Sequence, residues 1–399
     1  MSDRKVPSIR FKGFDDDWEQ RKLGDIVERI TRKNENLESI LPLTISAQYG
    51  LIDQNEFFDK RIASKDVSCY YLVRKGEFAY NKSTSSDAPW GAIKRLDRYE
   101  SGVLSTLYIV FRILDEEKID SDYLVTYYDT DLWHKGVQAI AAEGARNHGL
   151  LNIAPADFFE TTVSIPQDIE EQRKIGAYFK NLDCLITLHQ RELNKLNTIK
   201  KSMLENCFPR NGEKTPRIRF SGFTDDWEQR KVSDLFKVTR GYVLAATQTE
   251  TMKTDEKPYP VYSSQTKDNG LMGYYKDYLY EDAITWTTDG ANAGTVNYRA
   301  GRFYCTNVCG VLLSNEVKAN QMIAEALNNV AKGYVSYVGN PKLMNNVMAD
   351  IVIQIPTQAE EREQLSMLFA SLDNLITLHQ RELSKLERVK KSLLTSMFI

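Results

Sequence analysis

Five cysteines and four histidines are the residues best able to hold a metal or attack a substrate, and their spacing supports neither role. Cys305 and Cys309 are four apart, but no histidine lies near them in sequence, so they read as small buried hydrophobes rather than half of a zinc site. Cys69, Cys184 and Cys207 are scattered, which fits reduced thiols and not a disulfide framework. His134, His148, His189 and His379 form no His-Glu-x-x-His or His-x-Glu pairing. There is no phosphate-cradling Gly-x-x-x-x-Gly-Lys-Ser/Thr loop, no dinucleotide Gly-x-Gly-x-x-Gly turn and no Gly-x-Ser-x-Gly elbow. Asn340-Pro341 starts like the Asn-Pro-Pro-aromatic motif of amino-methylating enzymes, but Lys342-Leu343 follows, so no aromatic stands where a base would stack. Asp289-Gly290-Ala291-Asn292 is a turn with no general base beside it in sequence. The expectation is a binding protein with no catalytic residue and no metal site.

Binding residues need a frame, and this chain writes its frame twice. Leu182–Leu193 reads LDCLITLHQREL and Leu372–Leu383 reads LDNLITLHQREL, with eleven of twelve residues the same at an offset of 190. Residues 7–22 (PSIRFKGFDDDWEQRK) and 216–231 (PRIRFSGFTDDWEQRK) agree at 13 of 16 positions at an offset of 209. Identity that dense marks a tandem duplication. Asp16 or Asp17, and Asp225 or Asp226, stand as N-caps before Trp-Glu-Gln-Arg-Lys, which reads as the start of a short docking helix in each copy. Each second repeat follows Ile-Pro and a Glu-Glu pair (Glu170-Glu171, Glu360-Glu361) and ends near Lys200-Lys201 or Lys390-Lys391, so its charges oppose the helix dipole.

Apolar residues recur there in steps of three and four. The first stripe is Ile175, Phe179, Leu182, Ile186, His189, Leu193, Leu196, Ile199, Met203 and Cys207. The second is Leu365, Phe369, Leu372, Ile376, His379, Leu383, Leu386, Val389, Leu393 and Met397. This is a coiled-coil-like seam on helices of roughly 40 residues, about 60 Å long. Such a stripe needs a partner, and the other copy is always present. The expected arrangement is an antiparallel pair with a globule at each end and pseudo-twofold symmetry, in which His189 and His379 set register. Seam and partner docking then fall on Leu182, Ile186, His189, Leu193 and Leu196, with Leu372, Ile376, His379, Leu383 and Leu386.

The two middles share little sequence, which implies one scaffold job done twice and two different recognition jobs. The first alternates strand-like runs with turns: Leu41–Gln48, Gly76–Lys82, Gly91–Lys94 and Val103–Ile113. A helix at Asp122–Trp133, a Gly-punctuated loop at Glu143–Leu151 and a strand at Thr161–Ile165 follow. The second places strands at Tyr259–Ser263, Ala283–Thr287, Thr295–Tyr298 and Gly310–Leu313. Its turns lie at Asp268–Gly270 and Thr288–Gly294, its helix at Ala319–Asn329 and its closing strand at Asp350–Ile355. The expected fold is α+β: a globule at 1–165, a long helix at 166–209, a second globule at 210–355 and a second helix at 356–399. Composition agrees with a globular chain: 399 residues, 42% hydrophobic, 27% charged, net charge −3. No run of about 18 apolar residues exists and MSDRKVPSIRF lacks a secretory core, so the expected location is cytoplasmic, away from membranes.

The whole pattern resembles the specificity subunit of type I restriction–modification systems. The resemblance is carried by the paired WEQRK segments, the paired Ile-Pro…Glu-Glu openings and the two LITLHQREL helices. AYNKSTSSDAPWGAIKR and SGVLSTLYIVFR in the first middle are similar to target-recognition domains of that family, as are PVYSSQTKDNGLMGYY and WTTDGANAGTVNYRAGRFYCTNVCGVLL in the second. The resemblance implies that each recognition domain reads half of a split target on double-stranded DNA. It implies helices that set the spacer and dock two methyltransferase subunits, which motor-nuclease (restriction) subunits join. No cofactor is then expected on this chain, with S-adenosylmethionine, ATP and Mg on the partners. Base contacts are expected from polar loop residues beside aromatics. In the first domain these are Tyr80, Asn81, Lys82, Ser83, Ser105, Thr106, Tyr108, Arg146 and His148. In the second they are Tyr262, Ser263, Ser264, Gln265, Asp289, Asn292, Thr306 and Asn307. The competing readings are a self-sufficient DNA methyltransferase or nuclease, against which the absent motifs argue, and a protein-only coiled-coil scaffold, which would bind no DNA.

Overall fold

The computed structural model describes residues 6–46, 50–60, 62–86, 88–141, 151–210, 212–264 and 267–399. It divides into two compact units, Met1–His189 with Glu382–Ile399, and Gln190–Arg381. Both division points fall inside the long helices, which run Ile169–Asn206 and Ala359–Ser396, 38 residues each. Each unit therefore holds one globule and a segment of both helices.

Within each unit the helix segments are antiparallel. In the first, Phe179 meets Phe398 (ring centroids 5.9 Å apart) and Asp183 accepts from Lys390. In the second, Phe208 meets Phe369 at 5.7 Å and Lys200 donates to Asp373. Ile175, Phe179, Leu182 and Leu193 are buried, as are Leu365, Phe369, Leu372, Ile376 and Leu383. Ile186, His189, Leu196, His379 and Leu386 are half-buried. Val389 departs from the expected stripe: it is 38% exposed, and the inward position is taken by Lys390, whose charge is held by two carboxylates.

The WEQRK segments are strands, not helix starts. Glu19–Lys22 pairs antiparallel with Thr162–Ile165, and Glu228–Lys231 pairs with Val352–Ile355 in the same register. The partner strand is over 100 residues away in sequence, so a local reading of caps and dipole could not see it. The tryptophans before these strands are buried, Trp18 edge-on to Phe398 and Trp227 edge-on to Phe208. Ahead of each strand an arginine is locked to the first turn of a long helix. Arg10 donates to both carboxylate oxygens of the buried Glu171 at 2.7 Å, and Arg219 does the same to Glu361 at 2.7 and 2.8 Å. Nη2 of each arginine also donates to the carbonyl of Asp16 or Asp225.

The first globule carries a four-stranded antiparallel sheet in the order Val27–Ile30, Ile109–Ile113, Phe78–Asn81, Ala92–Arg95. Ser101–Leu104 and Ile109–Ile113 are two strands, where one run was expected, because Tyr108 N closes a turn on the Ser105 carbonyl. The helix expected to reach Trp133 stops at Tyr128, and a second helix starts at His134. The second globule has a six-stranded sheet in the order Phe236–Arg240, Cys309–Ser314, Tyr280–Thr287, Val296–Cys305, Tyr259–Tyr262, Leu271–Tyr275. Helix Gln321–Ala331 joins the apolar cluster that includes Ile284, Trp286, Val296 and Leu312. Asn345–Asp350 is a short helix, so the closing strand begins only at Val352.

Candidate nucleic-acid interface

The second globule's sheet has two unlike faces, set by the two-residue period of a strand. Ile284 and Trp286 point into the main core. Ala283, Thr285 and Thr287 alternate with them, and on the neighbouring strand Asn297 and Arg299 alternate with Val296 and Tyr298. Several loops gather over the polar end of this face. Ser263 N donates to the Gly270 carbonyl at 2.8 Å, Thr306 N to Tyr262 at 2.9 Å, Thr288 N to Val308 at 3.1 Å and Gly290 N to Pro341 at 2.9 Å. Asp268, Asn269 and Gly270 all take positive φ, which explains the Asp-Asn-Gly sequence of that turn.

Beneath the loops lies a cavity of about 70 Å³ lined by Ser263, Asn269, Thr285, Trp286, Thr287, Asn292, Thr295, Asn297, Arg299 and Cys309. Arg299 is 7% exposed. Its guanidinium lies 3.7 Å from the Tyr262 ring centre; Nε donates to Thr285 Oγ1 at 3.1 Å and Nη2 to the Asn269 carbonyl at 2.7 Å. No Asp or Glu oxygen lies within 4.0 Å of its nitrogens among the described residues. Burial pulls the guanidinium below its ordinary value, an effect that Tyr262 and Cys309 oppose. The buried Cys309 thiol is pushed up to about 11, mainly by burial, which suits an inert thiol. Among the described residues no group of three His, Cys, Asp or Glu is placed to hold a metal.

The residues expected to read bases in this globule fall around that cavity. Ser263 and Asn292 line it, and Tyr262 supports Arg299. Thr306 is buried and donates from Oγ1 to Ser263 Oγ at 3.1 Å. Asp289 accepts from Thr288 and faces Lys342 at 4.0 Å, while Ser264 and Asn307 are half-buried. Gln265 lies outside the described residues. Arg299, Thr285 and Asn297 were missed. Their signal was polar residues at a two-residue spacing inside strands that are otherwise apolar. A hairpin beside the cluster, in which Ser336 and Lys342 exchange backbone bonds of 2.9 Å, exposes Tyr337 (70%) and Val338 (93%) at its tip.

In the first globule the expected set divides. Tyr80 is a core residue: it is fully buried, stacks on Phe158 at 4.9 Å and donates its hydroxyl to the Trp90 carbonyl at 2.8 Å, so it has no face left for a base. Tyr108 is half-buried, and burial raises its phenol, whose hydroxyl bonds Thr44 and Ile45. Asn81, Lys82 and Ser83 continue from the strand end, and the Tyr80–Ile109 pairing brings that end beside the turn with Ser105 and Thr106. Asn81 Oδ1 accepts from Ser83 N at 3.0 Å, and Ser105 Oγ from Leu107 N at 3.4 Å. Lys82 donates to the Ile153 carbonyl at 3.3 Å, and its ammonium is lowered by burial and by Arg29. Ser83 and Thr106 are exposed. Arg146 and His148 lie outside the described residues.

The helices carry a second candidate surface. The seam residues are turned inward, but Leu185 (44% exposed) and Leu188 (52%) face outward, and so do their repeats Leu375 (45%) and Leu378 (54%).

Two α+β globules, each closed by one strand pair and each packed on segments of two duplicated helices, define a tandem-repeat binding protein. A family model described as the type I restriction modification DNA specificity domain matches residues 15–198 and again 224–388. The chain belongs to this family. A Mycoplasma pneumoniae protein named for the N-terminus of a type I specificity subunit is 37% identical over 141 residues, 35% of this chain and 74% of that relative. A type I restriction enzyme specificity subunit of the same organism is 31% identical over 147 residues, 36% of this chain and 43% of its own length. The solved structure of a type I restriction–modification S subunit from M. genitalium matches with a TM-score of 0.66 at 15% identity, covering 99% of each chain, which shows a shared fold. Among the described residues no helix is long and apolar enough to cross a membrane.

Proposed function

We propose that this chain is the DNA-reading subunit of a type I restriction–modification complex, with each globule reading one half of a split duplex target. The observation that carries the reading is the double match to the specificity domain on a frame whose two repeat segments agree at 13 of 16 and 11 of 12 positions, around globules that differ. Unlike inserts on a like frame suit an asymmetric target whose two halves are held at a fixed spacing. The helices dock two methyltransferase subunits, and motor-nuclease subunits join that core. The leucine pairs Leu185/Leu188 and Leu375/Leu378 support this, because the same apolar patch displayed twice fits two copies of one partner. Catalysis and its cofactors, S-adenosylmethionine, ATP and Mg, belong to the partners; this chain positions them.

Phosphate contacts from the assembly supply affinity, while Asn, Ser, Thr and Arg side chains of the two loop clusters supply sequence preference. Methylome sequencing of cells carrying this chain with its partner subunits tests the reading. The expected result is a split motif methylated on both strands, and an unsplit motif would overturn the two-domain reading.

A further inference from the structure

We propose that the polar cavity of the second globule is a phosphate site built around Arg299, and that its occupant is one phosphodiester of the DNA backbone. The second half of this statement rests on the DNA-reading function above; the first stands on the cavity alone. A buried cation without a counter-ion is costly, and an apolar residue could fill the same place on the strand at no such cost. Stacking on Tyr262 and bonds to Thr285 and Asn269 hold the guanidinium in one orientation but bring no negative charge. No acid lines the cavity; around the cation stand Ser263, Thr287, Asn292, Thr295 and Asn297, all neutral groups able to donate.

One full positive charge ringed by neutral donors is the chemistry of a tetrahedral oxyanion site. It repels a divalent cation and offers little to an apolar ligand. The arrangement of the donors chooses between the acceptors that DNA presents. A volume of about 70 Å³ admits several waters or one phosphate. A guanine edge would also suit arginine, but it presents its acceptors in one plane, whereas the donors here come from several strands and loops around the guanidinium. A phosphate projects from the backbone and can enter by itself. A guanidinium already fixed by its own fold loses little freedom on binding, so the contact would set the register of this globule on the duplex.

The test uses the full-length chain, alone and assembled with its methyltransferase subunits, as wild type, Arg299→Gln and Asn297→Asp. Asn297 lies two residues before Arg299 on the same face of the strand, so the near-isosteric aspartate supplies an internal counter-ion without emptying the core. Inorganic phosphate at constant ionic strength should raise the melting temperature of the wild type, with neither variant responding. Both variants in the complex should weaken target and non-target duplexes by the same factor, about tenfold. The slope of log affinity on log salt should fall by about 0.9, the value of one lost phosphate.

A wild type that ignores phosphate, with variants that bind DNA normally, would make Arg299 structural and overturn the site. Phosphate stabilisation with an unchanged salt slope would keep the site and assign it to free phosphate, overturning the DNA occupant. Relaxed preference at one base pair with an unchanged slope would make Arg299 a base reader and overturn the phosphate assignment. Absence of sequence-specific binding by the wild-type complex would sink the DNA-reading function, and the phosphate arm would still decide the site.

Discussion

Lys390 donates to Asp183 at 2.7 Å, and the same bond recurs 190 residues earlier, where Lys200 donates to Asp373 at 2.7 Å. Each helix supplies the lysine in one unit and the aspartate in the other. Each lysine also takes a carboxylate from its globule, Asp129 at 2.9 Å or Glu325 at 2.7 Å. For Lys200 burial favours the neutral amine, but Glu325 and Asp373 outweigh it and raise the ammonium. The frame thus asks each globule for an acid at one place, and the two globules answer with different elements: the end of a helix in one, the middle of a helix in the other.

Removing Lys390 leaves Asp183 without its lysine and Asp129 with Lys94 alone. Lys390→Met should lower unfolding free energy by about 2 kcal/mol, the worth of a charged hydrogen bond, because Lys94 still holds Asp129 and Asp183 is partly exposed. The double variant Lys390→Met with Asp129→Asn should recover part of the loss. Urea denaturation measures both, and a double variant no more stable than the single would show that the pair is not coupled.

Asp129 also sets a pH dependence. Burial alone would raise its carboxyl, but Lys94 and Lys390 outweigh burial and hold it below the usual carboxylate range. A depressed folded value means the group stabilises the fold above its unfolded pKa of about 3.9 and loses that contribution as pH falls through the folded value. The stability gap between wild type and Asp129→Asn should therefore narrow below about pH 4. A gap that stays constant down to pH 2 would contradict the assignment.

Gly176 sits in the first long helix where a Cβ would stand 2.6 Å from Tyr123 N and 2.7 Å from Asp120 Oδ1. Its repeat is Ser366, whose hydroxyl accepts from Gln321 N at 3.2 Å. Gly176→Ala gains about 1 kcal/mol of helix propensity. Crowding against backbone costs about 2 kcal/mol, so the variant should be less stable by about 1 kcal/mol. Calorimetry showing a stabilised protein would contradict this packing.

The outward leucines predict a stoichiometry. Leu185→Ser with Leu188→Ser should leave the melting temperature unchanged and reduce bound methyltransferase subunits from two to one, read by native mass spectrometry. The Leu375→Ser, Leu378→Ser variant should do the same, and all four changes together should abolish the complex. Undiminished assembly in the quadruple variant would place docking elsewhere.

The exposed hairpin tip is a candidate for contact with DNA. Apolar side chains so exposed on an anchored turn suit insertion at a base step. Tyr337→Ser with Val338→Ser should weaken target binding by the assembled complex about tenfold, with the melting temperature unmoved. Unaltered affinity would remove the tip from the interface.

The duplicated frame was legible in the sequence because identity and helical period are local signals: Leu182, Phe179 and their repeats lie inward as their spacing requires. What was not legible depended on distant partners. Glu19–Lys22 carries charges and caps that suit a helix, yet Thr162–Ile165 makes it a strand. Tyr80 was read beside polar neighbours, but Phe158 and Trp90 claim it for the core. Val389 fits the stripe by spacing and is displaced by Lys390, whose need for Asp129 and Asp183 no periodicity expresses. Nothing in the sequence singles out Arg299 among its aromatic neighbours; only the sheet pairing sets it beside Thr285 and over a cavity lined by no acid.

The strand pairs that close the globules have a consequence for how such a chain can change. Glu19 faces Ile165 and Glu228 faces Ile355, so both inserts leave and re-enter the frame through one shared coupling. Residues 23–161 and 232–351, between the paired strands, differ in length and words but not in this connection. A foreign insert must emerge as that strand pair, offer one acid to the waiting lysine and pack on the helix where Gly176 or Ser366 stands. New specificity can then arise by exchanging cargo rather than by redesigning the carrier.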